Sequence, residues 1–116
     1  MTLLLPLPPS TNHLYVRRRD GRVTLAPRVR AYREQVWASL VGQVPSIPAM
    51  ARLAITLDLA VDHWTRLDLD NALKLVIDAV CDCLRVNDAY LTKIEATKRV
   101  DPGNEGVHVT ISWDGR

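Results

Sequence analysis

The strongest constraint in this chain is a change of hydrophobic period between residues 53 and 84. Leu53, Ile55, Leu57, Leu59 and Val61 alternate with Ala54, Thr56, Asp58, Ala60 and Asp62, the period of two of a strand that buries one face. Beyond Asp70 the apolar residues are Leu73, Val76, Ile77, Val80 and Leu84, a stripe at helical spacing. A half-buried strand leading into an amphipathic helix calls for a layered fold, because neither element can bury its apolar side alone.

The flanking segments extend that pattern. Leu3 to Leu7 suit a strand, and Pro8-Pro9-Ser10-Thr11-Asn12 must be extended or turning, since consecutive prolines remove amide donors and fix φ. Leu14 to Arg18 and Arg22 to Leu25 flank Asp20-Gly21, a dipeptide suited to a tight hairpin. From Arg28 to Val41 the residues Val29, Tyr32, Val36 and Leu40 recur at helical spacing with Trp37 beside them, bounded by Pro27 and Gly42. Thr92 to Arg99 and Val107 to Trp113 are expected to pair as a closing hairpin through Asp101-Pro102-Gly103-Asn104. No repeat or linker divides the 116 residues, so the expectation is one domain, 1–116, of α+β class: a small mixed sheet with two amphipathic helices packed on one face.

Net charge is only +2, but its distribution is uneven. Arg17, Arg18, Arg19, Arg22, Arg28, Arg30 and Arg33 fall in one early stretch, while Asp58, Asp62, Asp68, Asp70, Asp78, Asp82 and Asp88 fill the middle. A basic arm and an acidic centre suit a polyanionic substrate; a solvated basic hairpin and an ordinary acidic surface have the same composition. The apolar start lacks a basic n-region and meets prolines at once, which predicts neither a signal peptide nor a membrane span. Cys81 and Cys83, two apart in a helix, face different sides and are not expected to pair. With no CxxC and with His13, His63 and His108 scattered, a reduced cytoplasmic setting is the simplest expectation. No phosphate loop or dinucleotide fingerprint is present, so nothing supports use of a nucleoside triphosphate.

The chemistry concentrates in Asp68-Leu69-Asp70-Asn71, Lys74, Asp78 and Asn87-Asp88. On extended backbone Asp68 and Asp70 would point to one side. Oxygen ligands without histidine suit a hard cation such as magnesium better than zinc. A helix cap at Asp70 or Asn71, together with i,i+4 pairs of Lys74 with Asp70 and Asp78, explains the same residues without catalysis. The loop after the helix should lead into a strand beside the first, bringing Asp88 near the pair.

Pro8-Pro9-Ser10-Thr11-Asn12-His13-Leu14-Tyr15, Asp68-Leu69-Asp70-Asn71-x-x-Lys74-x-x-x-Asp78-Ala79, Asn87-Asp88 and Lys98, in that order, resemble the RusA family of Holliday junction resolvases. The resemblance implies a homodimeric endodeoxyribonuclease, dependent on magnesium with manganese as an alternative ion, that nicks four-way DNA junctions in symmetric pairs during recombination and repair. The family is typically encoded by phages or prophages. Asp68, Asp70 and Asp88 fall on its metal-binding catalytic aspartates and Lys74 on its essential lysine. Asn12, Asn71 and Asp78 match with supporting roles. The family usually shows two adjacent acids at 87–88, and Asp88 aligns with the second. Arg17, Arg18, Arg19 and Arg22, with Lys98 and Arg99, are the expected DNA contacts. A degenerate module that only binds branched DNA, or a nuclease for flaps, are the competing expectations.

Overall fold

In the computed structural model, which describes residues 1–10 and 15–114, the alternating segment forms the central strand of a four-stranded sheet. The elements are β1 (Thr2–Leu5), β2 (Tyr15–Arg17), β3 (Val23–Leu25), α1 (Pro27–Leu40), β4 (Leu53–Val61), α2 (Leu69–Leu84), β5 (Leu91–Val100) and β6 (Gly106–Trp113), with a 3-10 turn at Asp88–Tyr90. Asn12, expected in a supporting role, lies outside the described residues.

The sheet order is β1-β6-β4-β5. β4 pairs antiparallel with β6 and parallel with β5. Alternation puts Leu53, Ile55, Leu57, Leu59 and Val61 on one face, joined by Val107, Val109 and Ile111 of β6 and by Leu3 and Leu5 of β1. Tyr32, Val36 and Leu40 of α1 and Val76, Ile77 and Val80 of α2 close over the same cluster. The fold is therefore α+β, a mixed sheet whose apolar face is covered by the helices. No helix among the described residues is long and apolar enough to cross a membrane.

The expected closing hairpin is not formed. The chain leaves β5, passes the end of β4 where the Asp101 amide donates to the Val61 carbonyl at 2.8 Å, and pairs on the far side of β4. Alternation tells which face a strand buries but carries no information on its neighbour. β6 buries its apolar residues in the sheet interior, while β5 is exposed along most of its length and suits the edge.

The Asp20-Gly21 hairpin does form: β2 and β3 pair antiparallel as a separate ribbon. Gly21 takes φ 85°, which an L side chain adopts only with strain. Arg17, Arg18, Arg19 and Arg22 are all exposed on this ribbon.

Candidate active site

The chain reaches α2 through residues 62–68, not directly from the strand. Lys98 of β5 holds this loop: its ammonium donates to the carbonyls of Trp64 at 2.8 Å and Leu67 at 2.7 Å. Asp68 then takes the N-cap position and Asp70 lies in the first helical turn. Two expectations need correction. Asp68 and Asp70 are not paired on extended strand backbone, and the cap is Asp68 rather than Asp70 or Asn71. Buried Leu67 and half-buried Leu69 pack on the core and start the helix two residues early.

The Asp68 carboxylate makes no side-chain capping bond. Neither it nor Asp70 has an ion-pair or hydrogen-bond partner through its side chain among the described residues. Both stand at the positive end of the α2 dipole, which favours negative charge there. Asp68 and Asn71 line a small hollow whose other walls include Pro9 and Ser10.

Asp88 lies elsewhere. Because β5 runs parallel to β4, with Leu91 opposite Leu53, the chain must return along the whole of α2 before Asp88. Sixteen helical residues span about 24 Å, so Asp68 and Asp70 sit at one end of α2 and Asp88 beyond the other. The expected convergence of all three carboxylates within one chain does not occur. No group of three metal-binding side chains is assembled among the described residues.

Around Asp88 the neighbours are Asp78, Asp82, Arg33 and Cys81, which share a shallow cleft with it. Burial, followed by the negative charges of Asp88 and Asp78, pushes the Cys81 thiol up to about 11. Cys81 and Cys83 are both free. Asn87 caps the 3-10 turn, its side-chain oxygen accepting from the Ala89 amide at 2.9 Å, and so fixes the turn that presents Asp88. Lys74 lies 3.7 Å from Asp78, an i,i+4 pair between an exposed lysine and a half-buried aspartate, worth a few tenths of a kcal/mol.

Of the expected DNA contacts, Arg17 and Arg19 have no side-chain partner among the described residues, and Arg18 and Arg22 stand 3.8 Å and 3.9 Å from Asp20. Arg99 is clasped by Asp58 and Asp101, and its bonds with Asn104 and Arg99 hold the Asp101 carboxyl below its ordinary value. Asp68 and Asp70 offer hard oxygen donors, the chemistry by which magnesium is held through one or two carboxylates together with water and phosphate.

A small α+β protein whose open carboxylates, among the described residues, stand at one end of α2 and beyond the other, with a basic ribbon as well, has the donor and cation chemistry of an enzyme that acts on a phosphodiester backbone. The family model for endodeoxyribonuclease RusA matches residues 6–112, and the chain belongs to this endodeoxyribonuclease family. It is similar to the crossover junction endodeoxyribonuclease RusA of Aquifex aeolicus (strain VF5), with 26% identity over 108 residues covering 92% of this chain and 84% of the relative.

Proposed function

We propose that the protein resolves four-way DNA junctions by magnesium-dependent, paired symmetric nicking, as one nuclease domain over residues 1–116 acting as a homodimer in recombination and repair. The observation that carries this reading is that Asp68, Asp70 and Asp88, the family's catalytic positions, keep carboxylates without a side-chain partner among the described residues, in a chain with 15 Lys and Arg. Glu34 and Glu105 are equally open among the described residues, so it is the coincidence of open carboxylates with the family's positions that supports the reading.

Asp68 and Asp70 hold the ion from one end of α2. When bound, magnesium lowers the pKa of water and offsets charge at the leaving oxygen of an in-line displacement; manganese suits the same donors. Lys74 meets the charge developing on phosphoryl oxygens, while Arg17, Arg18, Arg19 and Arg22 grip the backbone without reading sequence. Lys98 acts through the loop that it braces, and Asp78 through Lys74. Asn71 borders the Asp68 hollow, and Arg99 joins the DNA face when a phosphate displaces one of its carboxylates.

The separation along α2 supports the homodimer. An isologous two-fold axis swaps opposite ends of the two subunits, so an antiparallel arrangement brings Asp88 of one copy to Asp68 and Asp70 of the other. β5 is a ten-residue edge strand with unpaired backbone groups available for such pairing. Two such sites on one axis also match the approximate symmetry of a junction. With no nucleotide motif and two reduced thiols, the setting is the cytoplasm of a bacterium or of a phage-infected cell, with no membrane and no nucleoside triphosphate taking part.

The test is a labelled four-way junction beside matched duplex and flap DNA, with magnesium or chelator, using the parent and Asp70→Asn. Symmetric nicks in the junction alone, only with magnesium, are expected, and the variant binds without cutting. A parent that binds without cutting would make the protein a branched-DNA-binding module and overturn this reading. Preferential cutting of flaps would move the substrate to another branched form.

A further inference from the structure

Behind the Asp68 hollow lies a second, larger cleft of about 480 Å³, walled by Pro9 and Ser10 after β1, by Arg28, Tyr32 and Gln35 of α1, and by Arg66 of the loop before α2. Two arginines line it and, among the described residues, no acidic residue does. Neither Arg28 nor Arg66 has an ion pair or side-chain hydrogen bond among the described residues. Arg18, Arg22, Arg33, Arg52, Lys74, Lys93 and Arg99 each stand within 4 Å of an acidic side chain; Arg17, Arg19, Arg30 and Arg85 are open like Arg28 and Arg66 among the described residues, but only the last two line one cleft.

Two like charges brought to one concavity repel each other, and an anion between them relieves that repulsion. Guanidinium forks match the paired oxygens of phosphate in geometry as well as in charge. Ser10 and Gln35 supply further donors on the same walls. The cleft shares Pro9 and Ser10 with the hollow that holds Asp68 and Asn71, so it adjoins the end of α2 where the carboxylates stand. An anion held here is therefore a neighbour of whatever Asp68 and Asp70 act on.

We infer that Arg28 and Arg66 clamp a backbone phosphate of the DNA strand being cut, next to the scissile bond, and so set the position of that strand against Asp68 and Asp70. This rests on the nuclease reading for its substrate. It differs from the β2–β3 arginines, which lie on a ribbon separate from the sheet and grip the DNA elsewhere. The two residues are 38 positions apart in sequence and line one cleft only through the tertiary fold.

The test measures junction binding in chelator across a salt series, then nicking of the same junction with magnesium. It compares the parent with Arg28→Ala/Arg66→Ala, Arg28→Lys/Arg66→Lys and Arg17→Ala/Arg19→Ala. Both clamp residues are exposed, and circular dichroism with thermal melting checks that each variant folds. The alanine pair should lower the slope of log K against log salt by about 0.9, the value for one phosphate on duplex DNA. It should also raise KM for nicking and scatter the cut positions on a sequencing gel. The lysine pair should keep the salt slope but scatter the cuts, having charge without the fork.

The ribbon variant should lower the salt slope and leave the cut positions unchanged. A parent-like slope with parent-like cut positions in the alanine pair overturns the clamp. Failure of the nuclease reading is seen separately, as a parent that cuts nothing; the binding series in chelator then decides the clamp alone, and an unchanged slope sinks it.

Discussion

Tyr32 shows how one residue links the core to a rim of the site. Its ring is 2% exposed, and its hydroxyl donates to the Pro6 carbonyl at 2.8 Å, fixing the segment whose Pro9 and Ser10 wall both clefts. Burial raises its pKa well above the ordinary 10.0. The folded state therefore holds the phenolic proton more tightly than the unfolded chain. That stabilisation is complete below pH 10.0 and is lost as pH rises, because the unfolded phenol ionises first. Melting curves between about pH 8 and about pH 11 should show Tyr32→Phe losing about 0.5–1.5 kcal/mol near neutrality and less of its remaining stability than the parent on the alkaline side. Parallel alkaline limbs for the two proteins would refute the argument. At this scale the sequence was a good guide to the helix stripe: Val29, Tyr32, Val36 and Leu40 are the buried residues of α1. It was silent on the Tyr32–Pro6 bond, which depends on how α1 lies against the strand end, and on Arg28 and Arg66 as neighbours.

At the scale of elements, the loop 62–68 and strand β5 act together. Lys98 spends its charge on two backbone carbonyls, so its first effect is on where α2 begins. Lys98→Met should cost about 1–3 kcal/mol through the lost charged hydrogen bonds, visible as a lower Tm, and should reduce nicking with little change in the salt slope of binding. A slope reduced by about 1 with unchanged Tm would instead make Lys98 a direct phosphate contact. The period change in the sequence correctly located β4 and α2, because the 2.0 and 3.6 periods follow from backbone geometry. It did not reveal the intervening loop. Polar residues between a strand and a helix are compatible with a direct junction or with a turn, and buried Leu67, which pulls the helix start back to Leu69, is one apolar residue without a period.

For the whole molecule, the two ends of α2 decide what one chain can do alone. If the carboxylate set is completed across the dimer axis, mixing Asp70→Asn with Asp88→Asn should restore single-strand nicking that neither variant has. Random exchange gives heterodimers half the time, each with one intact site, so recovery should reach about a quarter of the parent's nicking capacity. No recovery after verified subunit exchange would place the complete site within one chain. The sequence by itself determined the elements, their buried faces, the basic hairpin and the family to which the ordered motifs belong, because these depend on local periodicity, turn chemistry and residue identity. Only the tertiary structure decided that β5 and β6 flank β4, that Asp88 stands a helix length from Asp68 and Asp70, and that Arg28 and Arg66 share a cleft. Those are matters of strand order and helix direction, which depend on how apolar faces close over one another rather than on any spacing along the chain.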